Sequence, residues 1–535
     1  MKNLTLVLLM ALLANIDITA QVSVVGQFDV NTSNIIPENI FGINVFQGFD
    51  PNQAGTPGNT NYKNAMSEMN PGIIRYHNWE MLGTGKNGWL DADKNWAEEK
   101  ISNALKDAYP NKPMKMMNIP SWPNGKFGVN SDELLPVNKY DDFANWCAEL
   151  VKICNINNND SIKYWEVLNE RDNTYNNNHA ELATIFNRCA EAMKAVDPSI
   201  KVGGPAFAQA WSTSNLENFC QGTAATLDFI TYHSYSNGNS NETNQNVYNS
   251  ANIGWITGMV KNAWKKYSSR PIEYFHDEYN ISYNPPDTKQ TNYVSQIYDA
   301  IATISLINAG ASGAMAWNEC DGWYGKMDNS YRKRPSFFMF QNFNNHLTGN
   351  QINNVQVSDS KKVVAFASNS DSCYYLTIVN RSDLNLDVDL VFKGLSSKIT
   401  GNTVVENFEN QKSGGIITKI YTLEELTKNG YLSGEGTIAL FRIPKNTITG
   451  TQTNQINSKK SIRFYPNPVT DKLTIELSDN FNSSELLVKD ITGRIMCHNY
   501  TVKTKYIDLS TYPNGIYIIE YLMEGKRYAQ KIVKY

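Results

Sequence analysis

The chain predicts an α/β protein: a (β/α)8 TIM barrel, then an antiparallel β-sandwich, then a small C-terminal β-sandwich. Three observations carry this expectation. Eight strand-like apolar runs alternate with helix-like stretches between residues 36 and 345. All eleven tryptophans lie between Trp79 and Trp323, so the composition changes near His346. Beyond residue 350 the helical period gives way to short strands separated by polar turns.

The elements follow in chain order. Residues 1–20 read as a secretory signal, with Lys2 at its start, an apolar run from Leu6 to Ala14, and the small-residue site Thr19-Ala20. That run is too short to span a bilayer comfortably, and no other segment approaches about 18 consecutive apolar residues. The mature chain is therefore expected to have no membrane span. The barrel is assigned to 21–345, although the extended run Val22 to Val30 is also suited to add strands to the sandwich.

The eight barrel strands are Ile40 to Phe46, Gly72 to His77, Met114 to Pro120, Tyr164 to Glu170, Lys201 to Ala206, Leu227 to Tyr235, Pro271 to Glu278 and Gly313 to Asn318. Helices are expected over Trp96 to Ala108, Tyr140 to Cys154, Ala180 to Val196, Trp255 to Tyr267 and Asn292 to Asn308. A doubly wound open sheet is the competing topology, but no glycine-rich nucleotide loop follows the first strand. The sandwich, 346–445, contains Val363 to Ala367, Tyr374 to Val379, Leu386 to Phe392 and Thr437 to Phe441. Residues 446–460, rich in Thr, Asn, Gln and Ser, read as a linker. The last unit, 461–535, alternates apolar strands with Pro, Asn and Gly turns.

A chain of 535 residues is too long for one core, so two to four domains are expected. Hydrophobic residues at 41% and charged residues at 19% fit a soluble globular protein. The net charge of −4 includes no basic block, which argues against nucleic acid as a partner. The seven cysteines fit no zinc spacing, and no His/Asp cluster has ligand spacing, so neither a metal nor a cofactor is expected. Cys147 and Cys154 share a helix face about 10 Å apart at ~1.5 Å per residue, too far for a disulfide.

In a barrel of this kind, chemistry gathers at the C-terminal ends of the strands. Strand two ends in Arg75-Tyr76-His77, strand four in Asn169-Glu170, strand six in His233-Ser234-Tyr235 and strand seven in Glu278, while strand eight holds Trp317-Asn318. Two carboxylates at one barrel mouth are what a retaining glycosidase requires, one protonating the leaving oxygen and the other attacking the sugar. In glycoside hydrolase clan A, which this set resembles, the acid/base follows strand four and the nucleophile strand seven. The resemblance implies Glu170 as acid/base, its pKa raised by desolvation or by the charge of Glu278, and Glu278 as nucleophile, its pKa kept low by Arg75. Glu273, mid-strand, is the competing nucleophile. The duller reading of any strand-end Glu is a helix cap or an ion pair.

This set resembles glycoside hydrolase clan A. The match rests on an Asn before the strand-four Glu, an Arg at the end of strand two, a Tyr after strand six and an aromatic residue on strand eight. The resemblance implies that Asn169 contacts the sugar 2-hydroxyl, Tyr235 holds the nucleophile's oxygen and Trp317 floors the cleaved-sugar subsite. His77 and His233 would contact hydroxyls or orient the carboxylates, with ordinary core or rim histidines the alternative. Trp79, Trp122, Trp211 and Trp323 follow strand ends. Their loops rim the active-site face, so several of the four are expected as sugar platforms, with Trp122 and Trp323 taken as substrate contacts; packing beneath loops is the alternative for about half of them.

Within the clan, Gly42-Ile43-Asn44-Val45-Phe46 with Arg75-Tyr76-His77 is similar both to the agarase and porphyranase family and to the β-xylosidase family. The implied substrate is a β-linked polysaccharide or oligosaccharide, possible examples being agar and porphyran. A non-catalytic glycan-binding barrel and a transglycosylase are the other readings. The tail resembles the C-terminal sorting domain of the Bacteroidetes type IX secretion system, through Tyr465-Pro466-Asn467-Pro468 and Asn514-Gly515-Ile516-Tyr517. That implies the secretion machinery as a partner, and a secreted or surface-attached protein. A carbohydrate-binding sandwich is the alternative for the tail.

Overall fold

The computed structural model describes residues 20–445 except 46–59, 106–108, 110, 176–177, 237–241 and 285–287. In the tail it describes 462–465, 469–477, 486–490, 495–497, 506–523 and 526–534. The leader up to residue 19, the linker 446–460, Pro285-Pro286 and Pro466 to Pro468 lie outside the described residues. The chain divides into two compact units, Met1–Ile448 and Thr449–Tyr535.

The first strand, β1 (Ala20–Ile35), precedes a closed parallel barrel of eight. Its staves are β2 (Phe41–Val45), β3 (Ile73–Tyr76), β4 (Met114–Ile119), β5 (Tyr164–Val167), β6 (Lys201–Phe207), β7 (Phe229–Tyr235), β8 (Glu273–Asn280) and β9 (Gly313–Ala316). β9 pairs back with β2 to close the ring. The crossover helices are α1 (Thr60–Met69), α2 (Glu98–Leu105), α3 (Tyr140–Val151), α4 (His179–Val196), α5 (Thr213–Gly222), α6 (Asn244–Ser250), α7 (Gly254–Tyr267), α8 (Tyr293–Asn308) and α9 (Pro335–His346). α3 runs on into a π-helical turn over Lys152–Asn157.

Side chains two apart on a strand share a face, so the barrel interior is built in layers. The lower layer is apolar: Ile73, Met116, Tyr164, Phe229, Phe275 and Met315 pack together. Two residues further along five of those strands stand Arg75, Asn118, Glu166, Thr231 and Asp277, with Asn44 in register beside Arg75. The barrel is thus plugged below by hydrocarbon and lined by polar groups immediately above.

β1 precedes the barrel in sequence but belongs to a different sheet, pairing antiparallel with β10 (Gln351–Val357) and parallel with β13 (Leu386–Lys393). The other strands of that sheet are β11 (Val363–Asn369), β12 (Cys373–Asn380), β14 (Val404–Asn410), β15 (Ile416–Thr422), β16 (Tyr431–Ser433) and β17 (Ile438–Pro444). The order is β15-β14-β17-β12-β11-β10-β1-β13-β16. Strands far apart in that order, such as β12 with Leu376 and β16 with Tyr431, share one apolar core, so the sheet curls over on itself. Gln296 of α8 and Asn342 of α9 bind it to the barrel, donating to Gly436 O at 2.8 Å and to Asn410 Oδ1 at 2.8 Å.

The tail unit has a three-stranded sheet, Ile462–Tyr465, Lys472–Leu477 and Tyr506–Asp508, and a four-stranded one, Leu486–Asp490, Ile495–Cys497, Gly515–Met523 and Lys526–Lys534. Phe464, Leu473, Val488, Ile507, Tyr517, Ile519 and Ile532 form its core.

Candidate active site

Glu170 lies beyond the end of β5 rather than on it. The turn that carries it is strained, with Leu168 at φ 73° and Glu170 at φ 54°, a region that costs non-glycine residues about 1–3 kcal/mol each. Neighbouring strands stitch it in place. Leu168 N–H donates to Ile119 O at 2.8 Å, Asn169 N–H to Pro120 O at 3.0 Å and Glu170 N–H to Ala206 O at 2.9 Å. Gly204, at φ 140°, permits the approach of β6: a Cβ there would stand 2.6 Å from Val167 O.

Glu278 is delivered by an irregularity in β8. Tyr232 pairs with His276 but His233 pairs with Glu278, so Asp277 is an extra residue. The bulge lets both Asp277 and Glu278 reach Arg75, at 3.1 and 3.3 Å. Across the mouth, single side-chain atoms of Glu170, His233 and Glu278 all lie within 4.8 Å of one another. His233 stands between the glutamates, with Nδ1 2.8 Å from Glu170 Oε1 and Nε2 3.4 Å from Glu278 Oε2. Tyr235 donates its hydroxyl to Glu278 Oε1 at 2.5 Å.

Arg75 is the buried centre of the network. Its Nε donates to Glu166 Oε2 at 2.7 Å, Nη1 to Asn44 Oδ1 at 2.8 Å and Nη2 to Asn169 Oδ1 at 2.6 Å. Asn169 therefore spends its carbonyl oxygen on Arg75 and keeps its amino group for a ligand. Asn118 donates to Glu166 Oε2 and Leu168 O, at 2.8 and 3.0 Å, which turns its Oδ1 towards His77 Nδ1 at 2.7 Å. His77 is consequently a donor at Nδ1. Burial, reinforced by the Arg75 charge, holds its pKa well below the usual histidine value, so it is neutral.

The titration directions reverse the sequence expectation for both glutamates. Burial pushes Glu278 up, and the charge of Glu170 adds to this, so the cations His233 and Arg75 and the Tyr235 hydroxyl do not bring it down to its ordinary value. Burial also acts to raise Glu170, but its bond to His233 and the His233 charge overcome that and hold it below the usual value. His233 in turn is disfavoured by burial, yet Glu278, Asp277 and Glu170 raise it well above the ordinary histidine range. The unforeseen element is this imidazolium between the two carboxylates.

Below them sits a second carboxylate pair. Burial, only partly countered by Arg75, pushes Glu166 up to about 8, while Arg75 and His233 overcome burial to hold Asp277 far below its ordinary value. Arg75 resists burial through Glu166, Asp277 and Glu278 and stays charged. Glu170, His233 and Glu278 are also a set that a divalent cation can bridge, but a protonated His233 is no ligand and Arg75 competes for Glu278.

Of the residues singled out in the sequence, Arg75, Asn169, Glu170, His233, Tyr235 and Glu278 form one network of hydrogen bonds and ion pairs. His77 joins it through Asn118, and the Trp317 ring lies 5.5 Å from that of His77. Trp323 is 52% exposed on a turn capped by Asp321, and among the described residues no hydrogen bond or ring contact links it to the network. Trp122 is a correction. It is fully buried, with Nε1–H donating to Asn130 O at 2.9 Å, Phe143 at its edge and the Arg171 guanidinium 4.5 Å above its ring, so no face is open to a sugar. Glu273, the competing nucleophile, opens β8 at the opposite end of the barrel and is bound by Lys201 and Tyr164. Glu166, Asp277, Asn44 and Asn118 were missed. The available signal was the ionic demand of Arg75 within an otherwise apolar strand, since a buried guanidinium requires carboxylate partners.

Residues 158–381, which include Glu170, His233, Tyr235, Glu278 and Trp317, match the model of glycosyl hydrolases family 39. A β-xylosidase from Caldicellulosiruptor saccharolyticus is 27% identical over 184 residues, 32% of this chain and 36% of that protein. The chain thus matches only about a third of the length of that relative. Among solved structures, a glucosidase from Croceicoccus marinus aligns with TM-score 0.59 at 12% identity, over 79% of this chain and 99% of that one. An α-L-arabinofuranosidase from Thermotoga maritima gives 0.58 at 14%, over 79% and 100%. A β-xylosidase from Caulobacter crescentus gives 0.55 at 15%, over 79% and 99%. These likenesses show the barrel fold. The chain therefore carries a segment matching glycosyl hydrolases family 39 within its barrel unit, and residues 463–535 match the secretion system C-terminal sorting domain.

Proposed function

We propose that the barrel is a retaining glycoside hydrolase exported by type IX secretion, acting on β-linked glycans with Glu278 as nucleophile and Glu170 as acid/base. One observation carries the reading. The facing oxygens of Glu170 and Glu278 lie within 4.8 Å, close to the separation of about 5–5.5 Å typical of retaining pairs and too near for an intervening water. Glu278, ionised by Tyr235, Arg75 and His233, attacks the anomeric carbon. Glu170, held low by His233 in the free site, takes up a proton when the bound sugar covers it and excludes water, and passes that proton to the leaving oxygen. Once Glu278 is esterified its charge is gone, and Glu170 accepts a proton from the attacking water.

The match to family 39 and to a β-xylosidase supports a β-xyloside as the first substrate to examine, with agar- and porphyran-type galactans second. The test is hydrolysis of aryl β-glycosides and of xylan, agarose and porphyran, with the product anomer followed by NMR. The β-anomer should appear first. Glu278→Ala should lose at least about a thousandfold in kcat. An α-anomer as first product, or an unimpaired Glu278→Ala, would overturn the assignment.

A further inference from the structure

A cavity beside Trp79 is left unused by the two glutamates. The loops after β3 and β4 enclose about 400 Å³, lined by Trp79, Glu80, Lys94, Asn124 and Ser131 among others. Both loops leave the C-terminal end of the barrel, the end at which the glutamates stand, and the volume is within the range of small-molecule sites.

The walls are fixed by the site itself. Asn78 accepts from Glu80 N–H at 2.8 Å and caps the short turn Trp79–Leu82. The Trp79 ring, 46% exposed, stands edge-on to His77 at 6.1 Å. On the other side Lys94 Nζ donates to Asn124 O at 2.6 Å, and Asn124 Oδ1 accepts from Ser131 N–H at 2.6 Å. Ser131 O accepts from Arg171 Nη1 at 2.6 Å, and Arg171 directly follows Glu170. Trp317, His77 and Trp79 therefore form a strip of rings, 5.5 and 6.1 Å apart, leading from the site into the cavity. Each step is comparable to the length of one pyranose unit.

We propose that this cavity is a second sugar subsite, holding the next units of a neutral β-linked glycan chain whose cleaved unit lies between Glu170 and Glu278. The inference rests on the hydrolase reading for the position of the cleaved unit. A half-exposed indole offers its apolar face to a pyranose ring, while polar groups at the edge take the hydroxyls. The charged lining residues are one carboxylate, Glu80, and one ammonium, Lys94, already committed to a carbonyl oxygen. The lining therefore has no net charge with which to select a sulfated or uronic chain.

The test compares wild type, Trp79→Ala and Trp79→Phe on aryl β-xyloside, xylotetraose, neoagarotetraose and a sulfated galactan tetrasaccharide. In Trp79→Ala, kcat/KM for the preferred neutral tetrasaccharide relative to the aryl monoglycoside should fall at least about tenfold, and Trp79→Phe should recover part of it. In the Glu278→Ala background, Trp79→Ala should weaken tetrasaccharide binding, measured by fluorescence titration. An unchanged ratio with unchanged binding, or tighter binding of the sulfated chain, overturns the subsite. If no substrate is cleaved yet tetrasaccharide binding depends on Trp79, the hydrolase reading fails and the subsite stands.

Discussion

Tyr235 donates its phenolic proton to Oε1 of Glu278 at 2.5 Å. The bond stabilises the ionised nucleophile against burial, which pushes Glu278 upwards. A hydrogen bond to a charged group is worth about 1.5–3 kcal/mol, so Tyr235→Phe should lower kcat/KM roughly ten- to a hundredfold. The nucleophile must be ionised, and losing the donor raises its pKa further. The acid limb of the pH–rate profile should therefore move to higher pH. A uniform loss of rate with an unmoved acid limb would show that Tyr235 only shapes the pocket.

His233 links the two roles electrostatically. Its charge holds Glu170 down and also lowers Glu278 against the effect of burial. The groups facing it are Glu170 after β5, Asp277 and Glu278 on β8, and His77 just after β3. Replacing it by Gln removes the cation and keeps a polar side chain. Both glutamates should then titrate higher, one setting the acid limb and the other the alkaline limb. The whole bell should shift towards alkaline pH in kcat/KM measured across pH. Opposite movements of the two limbs would rule out this coupling.

The barrel and its two principal carboxylates were legible because their signals are local. Largely apolar runs such as Met114 to Ile119 and Phe229 to Tyr235 mark strands buried on both faces, and in the sequence Glu170 and Glu278 each close such a run. The same double burial hid the polar layer. In a parallel strand without apolar–polar alternation, nothing in Trp165-Glu166-Val167 says that Glu166 points inward. The bulge that brings Asp277 beside Glu278 is likewise a property of strand pairing. Trp79 and Trp122 look alike in sequence, since each follows a strand end. Only tertiary packing, with Arg171 lying on Trp122, separates an open ring from a buried one.

Glu170 acts on the leaving group, so its loss should depend on how much help that group needs. A dinitrophenyl glycoside departs without protonation, whereas an alkyl glycoside or a natural chain does not. Glu170→Ala should keep the first step with the former and lose about a hundred- to ten-thousandfold with the latter. Added azide, which needs no general base, should accelerate release of the glycosyl-enzyme and yield a glycosyl azide. Equal losses on both substrates, with no azide effect, would remove Glu170 from the acid/base role.

Glu166 supplies a stability signature independent of turnover. Burial pushes it up to about 8, against an ordinary value of 4.5. Between those values the unfolded chain has released the proton and the folded chain retains it, so this group's contribution falls as pH rises through the window. The slope reaches about 1.4 kcal/mol per pH unit for one proton. Asp277 acts in the opposite sense and only at acid pH, because its folded value lies below the ordinary one. Glu166→Gln mimics the protonated acid: its carbonyl can accept from Arg75 and its amide can donate to Asp277. Urea unfolding from about pH 5 to about pH 8 should show the wild type losing stability relative to the variant as pH rises. Parallel curves would mean that Glu166 is already ionised in the folded barrel, leaving four carboxylates to share Arg75 and His233.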